Sequence, residues 1–134
     1  MKKTLIKSCA GALLIWAASG PCAAGDTYVI ANSSVKLGAN DVRDVFLGEK
    51  QFADSIKLTP VDNGAAQADF LAKVIKMEAG KYSTAWTKKA FREGLNAPAV
   101  KSGDAEVAEF VKRTPGAVGY VTVSPGGVNV VGKF

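Results

Sequence analysis

The sequence contains no histidine, and its two cysteines, Cys9 and Cys22, both lie near the amino terminus. Histidine is the commonest general base, and histidine and cysteine are the usual ligands of structural zinc. A chain without histidine has neither a Ser-His nor a Cys-His nucleophile pair. The composition therefore argues against an enzyme, and we expect no catalytic residue, no metal site and no cofactor.

The sequence also lacks an apolar run of the length, about 20 residues, that spans a membrane comfortably. Its apolar stretch at residues 9–18 follows three lysines and precedes the small residues 22–24. This order is typical of a secretory signal peptide that is cleaved after residue 24. We expect residues 1–24 to be a signal peptide and residues 25–134 to be one periplasmic domain, without stable membrane insertion after cleavage. A retained anchor is the alternative.

Little of the net positive charge belongs to that expected domain. Residues 1–24 hold three of the seventeen basic residues and none of the twelve acidic ones, so cleavage lowers the formal charge from +5 to +2. The basic isoelectric point is therefore mostly a property of the signal peptide. We expect no nucleic-acid partner.

Hydrophobic periodicity predicts the order strand, helix, strand, three helices, strand, strand. The turn-forming sequence SPGG at residues 124–127 predicts a hairpin between the last two strands. The order favours a single three-layer α/β domain, in which helices cover both faces of a small mixed sheet. The predicted strands are 27–31, 56–61, 117–123 and 128–131, and the predicted helices are 40–47, 65–79, 83–92 and 104–113, with 95–103 as a loop.

Two turns that follow predicted strands carry candidate ligand-binding groups, because ligands of α/β sheets bind at the carboxyl ends of strands. The first turn offers the hydroxyls of Ser33 and Ser34. The second offers Asn63, Gly64 and Gln67, together with the free N–H groups of a helix start. Ordinary turns use the same residue types, so plain turn chemistry is the alternative at both places.

Asp62 argues against an anion at the second turn. Its negative charge would lie beside the anion, and no lysine or arginine is near it in sequence. Asp62 or Asn63 is also a natural N-cap, which would occupy one of the N–H groups that an anion needs.

Farther along the chain, Trp86 and Phe91 are expected to be core aromatics.

A resemblance to a known family is carried by residues 44–50 (DVFLGEK), by the order of Phe70, Tyr82, Trp86 and Phe91, and by residues 111–121 (VKRTPGAVGYV). These stretches resemble the IFLGK element, the aromatic spacing and the TPGAIGYV signature of phosphate-binding proteins, the periplasmic receptors of ABC-type phosphate importers. The resemblance covers most of residues 28–131. It implies a type 2 periplasmic-binding-protein fold. Receptors that bind phosphate have two lobes in much longer chains, so the resemblance implies a single lobe here.

The turn that corresponds to the phosphate site departs from the family. Phosphate receptors have an arginine followed by Gly-Ser-Gly-Thr, whereas this chain has Val61 and then Gly-Ala-Ala-Gln at residues 64–67. Burying a dianion requires a paired charge and a full set of hydrogen bonds. The resemblance therefore implies a non-catalytic, phosphate ABC transporter substrate-binding-like protein with a degenerate anion site, whose ligand is a small anion or polar group. The alternative is a periplasmic protein-interaction or sensory module, in which a protein partner or a second copy replaces the missing lobe.

Overall fold

The computed structural model describes residues 25–134, so the predicted signal peptide lies outside the described residues. Strands and helices are interspersed along this part of the chain, which is a mixed α/β arrangement. A 3₁₀ turn at Ala39–Asp41 leads into the first helix, and a π-helical turn at Leu71–Ile75 extends the second. The strands are β1 Tyr28–Ala31, β2 Phe52–Ala53, β3 Ile56–Lys57, β4 Thr59–Asn63, β5 Ala99–Lys101, β6 Ala117–Val121 and β7 Asn129–Lys133, and the helices are α1 Val42–Phe46, α2 Gln67–Phe70, α3 Ala79–Glu93 and α4 Asp104–Arg113.

The main sheet has five strands in the order β5-β4-β6-β1-β7, and β2 and β3 form a separate antiparallel pair. Strand β4 is parallel to both of its neighbours, whereas β1 is antiparallel to both of its own. The predicted α/β class with a mixed sheet is confirmed.

The predicted C-terminal hairpin is wrong. Strand β7 pairs with β1, where Tyr28 lies opposite Lys133 and Ala31 lies opposite Asn129, so β1 separates β6 from β7. Residues 29–31 of β1 are completely buried, and such an apolar strand is stabilised by a neighbour on each side. The connection at residues 122–128 is long enough to cross the width of one strand, since neighbouring strands lie about 4.8 Å apart.

Alternating side chains place one apolar cluster on each face of the sheet. One cluster packs against α1, α2 and α3, and the other packs against α4. Helices therefore cover both faces, as the sequence predicts. From the sheet, Val29, Ala31, Val118 and Tyr120 belong to the first cluster, and Ile30, Val61, Ala117 and Val121 belong to the second.

The helix predicted from Gly64 to Gly80 is wrong in extent. The chain leaves the π-helical turn at Lys76, which has a left-handed backbone (φ 58°), and Gly80 lies inside α3. The reversal at Lys76 allows Tyr82 and Trp86 of α3 to pack into the first cluster. A periodicity argument cannot detect such a break, because apolar residues continue on both sides of it.

Two further predictions on this side of the fold need correction. Residues 99–101 form the edge strand β5 within the predicted loop; the strand is short and mostly exposed, so its sequence has little strand signal. Trp86 is buried as predicted, but the side chain of Phe91 is 91% exposed. Five residues on a helix turn about 500°, so Phe91 lies away from the buried face that carries Trp86.

Candidate functional site

The carboxylate of Asp62 is the centre of a buried hydrogen-bond network at the end of β4. Asp62 is only 2% exposed. The Tyr120 hydroxyl donates to Oδ1 at 2.9 Å and the Tyr82 hydroxyl donates to Oδ2 at 3.1 Å. Gln67 supplies a third side-chain hydrogen bond. Strand β6 and helices α2 and α3 therefore all converge on one carboxylate.

Burial raises the pKa of the Asp62 carboxyl above its usual range, although the hydrogen bonds from Tyr120, Tyr82 and Gln67 act in the opposite direction. The pKa of each tyrosine hydroxyl is also raised, first by burial and then by the negative charge of Asp62. The phenols therefore stay protonated and remain donors. Within residues 25–134 Asp62 has no ion-pair partner, so neutral groups alone solvate its charge.

Aromatic packing holds the Tyr120 ring in place. It is stacked on Phe70 with 3.8 Å between ring centroids and an angle of 8° between planes. Phe46 contacts both rings edge-on, at 4.8 Å from Phe70 and 5.6 Å from Tyr120. Because the ring is held on one face and one edge, its hydroxyl has a defined position for Asp62.

Asn63 lies on the opposite face of β4 and is fully buried. Its Nδ2 donates to Asp104 Oδ1 at 2.7 Å and to the Tyr120 carbonyl at 3.0 Å. Its Oδ1 accepts the Ala65 N–H at 3.0 Å. The side-chain amide that the sequence offers as a ligand donor is thus engaged within the protein.

Two further backbone N–H groups of this turn are also used internally. The Gly64 N–H donates to the Lys101 carbonyl at 2.8 Å, and the Ala66 N–H donates to the Asn63 carbonyl at 3.0 Å. The helix that follows, α2, has only four α-helical residues. The turn therefore uses on itself much of the hydrogen-bonding capacity that a bound anion would need.

Asp104 connects this turn to the start of α4 and to the end of β6. Its Oδ2 accepts hydrogen bonds from the Thr122 hydroxyl at 2.6 Å and from the Thr122 N–H at 3.0 Å. Partial burial acts to raise the pKa of Asp104, but the hydrogen bonds from Thr122 and Asn63 outweigh it and hold the pKa below its usual value. Asp104 is therefore a structural anion at the start of α4.

The first candidate turn is organised by Asn32 at the end of β1. Its Nδ2 donates to the carbonyls of Val111 and Lys112, at 2.8 and 3.1 Å. Its Oδ1 accepts the Ser34 N–H and the Ser34 hydroxyl, at 3.0 and 2.8 Å. Ser33 and Ser34 are exposed, but the Ser34 hydroxyl already has a partner in the protein.

The two candidate turns lie at opposite ends of the sheet. Strand β4 is parallel to β6, and β1 is antiparallel to it, so their carboxyl ends point in opposite directions. Asn63 contacts the first residue of α4, whereas Asn32 contacts the carbonyls near its end. Ser33 and Ser34 therefore do not share a site with Asn63, Gly64 and Gln67.

Two surface clefts border strand β4. One, of about 330 Å³, is lined by Asp62, Gln67, Tyr82, Trp86 and residues 96–98, together with Val100 and part of α3. The other, of about 400 Å³, includes Lys50, Lys57 and Lys101 in its lining and no acidic residue. Residues 96–98 contribute to both clefts, which therefore lie side by side with linings of opposite charge.

Between residues 25 and 134 no group of three or more His, Cys, Asp or Glu side chains is placed to hold a metal ion. None of the helices in this part of the chain is long and apolar enough to cross a membrane.

Sequence reasoning missed the Asp62 network. From the sequence, Asp62 is a charge that would repel an anion or a helix cap, and Tyr82 is only one member of a family-like aromatic spacing. The available signal was alternation: Asp62 follows the buried Val61 in a strand, so it had to face the opposite side of a sheet covered on both faces. The identity of its donors required the tertiary structure, because Tyr120 lies 58 residues away along the chain.

No protein-family model matches this sequence, and no curated protein matches it significantly.

Proposed function

We propose that this protein is a non-catalytic periplasmic binding protein, comparable to one lobe of a phosphate ABC transporter substrate-binding protein, with a degenerate anion site. It recognises its target without covalent chemistry. The observation that carries the proposal is the buried Asp62 carboxylate at the carboxyl end of β4. It accepts hydrogen bonds from Tyr82, Tyr120 and Gln67, so these donors are not available to an anion.

The hydrogen bonds around Asp62 support the degenerate character of the site. In this turn a phosphate would need several donors and a compensating positive charge. The hydroxyls of Tyr82 and Tyr120 already donate to Asp62, and Asn63 donates to Asp104 and to a carbonyl. The fixed charge of Asp62 would also repel the phosphate.

The arrangement of the resemblance-bearing segments supports the comparison with a receptor lobe. The segment that resembles TPGAIGYV ends in β6, the middle strand of the sheet and the neighbour of β4. The segment that resembles IFLGK forms the last part of α1 and the turn that follows it. Its Val45, Phe46 and Leu47 pack into the first cluster with Phe70 and Trp86. These segments thus build the core beside the turn after β4.

Calorimetric titration of the purified protein with inorganic phosphate tests the proposal. We expect no saturable heat and no rise in melting temperature at millimolar phosphate. Saturable binding with a micromolar dissociation constant would contradict the degenerate site. The Asp62→Asn variant should also fail to bind phosphate, because it still lacks a positive charge in the turn.

A second candidate, a protein-interaction module, is favoured by the basic cleft. Lys50 and Lys57 line it with no ion-pair partner within residues 25–134, while Lys101 interacts electrostatically with Glu106. The Lys101 ammonium also lies 4.6 Å from the centre of the Phe110 ring. Lysines above apolar lining are suited to an acidic, partly apolar segment of a partner protein.

A peptide of alternating glutamate and leucine is a suitable probe for this second candidate. Lys57→Glu should weaken its binding by about tenfold and added salt should weaken it further, since the attraction is electrostatic. Lys88→Glu, on α3 outside the basic cleft, is the matched control. Equal binding by the two variants would contradict the candidate, and sedimentation would separate it from self-association.

A further inference from the structure

The cleft beside Asp62 has the composition of a site for a positively charged ligand. Its lining contains one carboxylate, the amides of Gln67 and Asn96, the hydroxyls of Ser83 and Thr87, and two aromatic rings, but no lysine or arginine. An anion site would have the opposite balance. The charge balance of this lining therefore favours a cation over an anion.

The charge of Asp62 has no counter-charge within the described part of the chain. A buried carboxylate is ordinarily paired with a cation, because neutral donors compensate only part of its lost hydration. The two carboxylate oxygens offer about four acceptor positions, and Tyr120, Tyr82 and Gln67 occupy three of them. A cation in the cleft would donate to the remaining acceptor position of the carboxylate and supply the positive counter-charge that Asp62 lacks.

Tyr82 and Trp86 belong to the lining of the same cleft, where 5% of Tyr82 and 6% of Trp86 is exposed. They lie four residues apart on α3, so they occupy the same face of the helix. The Trp86 ring is anchored by a 3.0 Å hydrogen bond from Nε1 to the Phe46 carbonyl. Aromatic faces attract ammonium groups through the ring quadrupole, which adds to the attraction of the carboxylate.

We infer that the cleft beside Asp62 binds a small organic ammonium ion, with Asp62 as the counter-ion and Tyr82 and Trp86 as its aromatic wall. Its volume of about 330 Å³ suits a small molecule or the end of one side chain. A primary ammonium has three donors, which match Asp62 and the neighbouring hydroxyl and amide oxygens. A hard metal ion fits less well, since it requires several oxygen ligands of which carboxylates are the main class.

This inference deepens the proposed function and depends on it in one respect, because both assume non-covalent binding at the turn after β4. The ammonium group can belong to a free amine or to a lysine side chain of a peptide. Calorimetric titration with n-butylammonium tests the first source. Titration with Nα-acetyl-lysine amide, which keeps the side-chain ammonium group, tests the second. n-Butanol, which has the same apolar body without the charge, is the control ligand.

We expect saturable binding of at least one ammonium probe and none of n-butanol. Asp62→Asn should weaken the binding by about tenfold or more, because it removes the counter-charge and keeps the shape. Asp69→Asn, on the exposed side of α2 and outside the cleft, should bind like the wild type. Because Asp62 is buried, Asn96→Lys provides a second variant: residue 96 is exposed, and a lysine there places a competing cation in the cleft.

Three results would overturn the inference: no binding of either ammonium probe, equal binding of n-butanol, or unchanged affinity in both Asp62→Asn and Asn96→Lys. None of them bears on the phosphate titration. Phosphate binding would contradict the degenerate anion site, whereas failure of the ammonium probes removes only this inference.

Discussion

The hydroxyl of Tyr120 donates a 2.9 Å hydrogen bond to Oδ1 of Asp62, joining the central strand β6 to the strand β4 beside it. The Tyr120 ring is completely buried, and so is almost all of Asp62. The bond therefore places a charged acceptor inside the first apolar cluster. The bond contributes to the stability of this part of the fold, and the Asp62 carboxylate that accepts it is the one carboxylate in the lining of the adjoining cleft.

Replacing Tyr120 with phenylalanine should lower the free energy of unfolding by about 1–3 kcal/mol, because a buried charged acceptor loses a donor while the ring packing is kept. Urea denaturation measures the change. Tyr28→Phe is the matched control, since the hydroxyl of Tyr28 has no hydrogen-bond partner within residues 25–134. Equal stability losses in the two variants would contradict a special role for the Tyr120 hydroxyl.

Asp62→Asn should change how stability depends on pH. The folded-state pKa of Asp62 lies above the ordinary value of 3.8. Its contribution to stability is therefore fully present below that value and is lost as the pH rises through the raised pKa. The free energy of unfolding of Asp62→Asn, relative to wild type, should increase from about pH 3 to about pH 7.

Asp104→Asn is the control of opposite sign for that experiment. The folded-state pKa of Asp104 is lowered, so its contribution is present above the ordinary value and is lost as the pH falls. Relative to wild type, Asp104→Asn should therefore become less stable as the pH rises over the same range. Parallel pH profiles for the two variants would show that Asp62 is not held in an unfavourable charged state.

Gly119→Ala should destabilise the protein by about 1–3 kcal/mol, because the added methyl group overfills a packed interface. A Cβ at residue 119 would lie 2.5 Å from Cγ1 of Val107, on the helix that covers this face of β6. Gly80→Ala is the control: nothing lies within 4 Å of its Cβ position, so it should stabilise α3 by about 0.5–1 kcal/mol. Thermal denaturation would reveal both shifts, and a tolerated Gly119→Ala would contradict the tight packing of α4.

Asn63 and Asp104 should be energetically coupled through their 2.7 Å hydrogen bond. Asn63→Ala, Asp104→Ala and the double variant form a cycle whose interaction free energy should be about 0.5–3 kcal/mol. Urea denaturation of the four proteins gives this value. Asn40→Ala combined with Asp104→Ala is the matched control, because Asn40 is exposed and precedes α1. Additive losses in the Asn63 cycle would mean that the contact contributes nothing as a pair.

Those strands and helices that are set by residues close together in sequence were predictable. The buried strand at residues 28–31 and the helix at 104–113 follow from β-forming residues and from periodicity with charged ends. The end of α1 was predictable because helices often end just before a glycine. Gly48 follows α1 and does adopt a left-handed backbone (φ 76°). The extent of α2 was not predictable, because the reversal at Lys76 serves packing between elements that are distant in sequence.

For the candidate site, the sequence indicated a polar turn after β4 but not which of its polar groups are already hydrogen-bonded within the protein. Asn63, Gly64 and Gln67 do lie at the carboxyl end of a sheet strand. Whether their polar groups remain available depended on Asp104 and Lys101, about forty residues farther along the chain. Such long-range hydrogen bonds leave no local pattern in the sequence, so their effect became visible only in three dimensions.

The sequence by itself determined the alternation of strands and helices, the apolar faces that form the two clusters, and the absence of histidine that argues against common enzyme chemistry. Tertiary structure alone decided that β1 lies between β6 and β7. It further decided that β1 runs antiparallel to β6 while β4 runs parallel to it, which places the Ser33–Ser34 turn at the opposite end of the sheet from Asn63. It also decided that Tyr82 and Tyr120 converge on Asp62. Strand order and side-chain convergence depend on contacts between distant segments, and local propensity does not encode them.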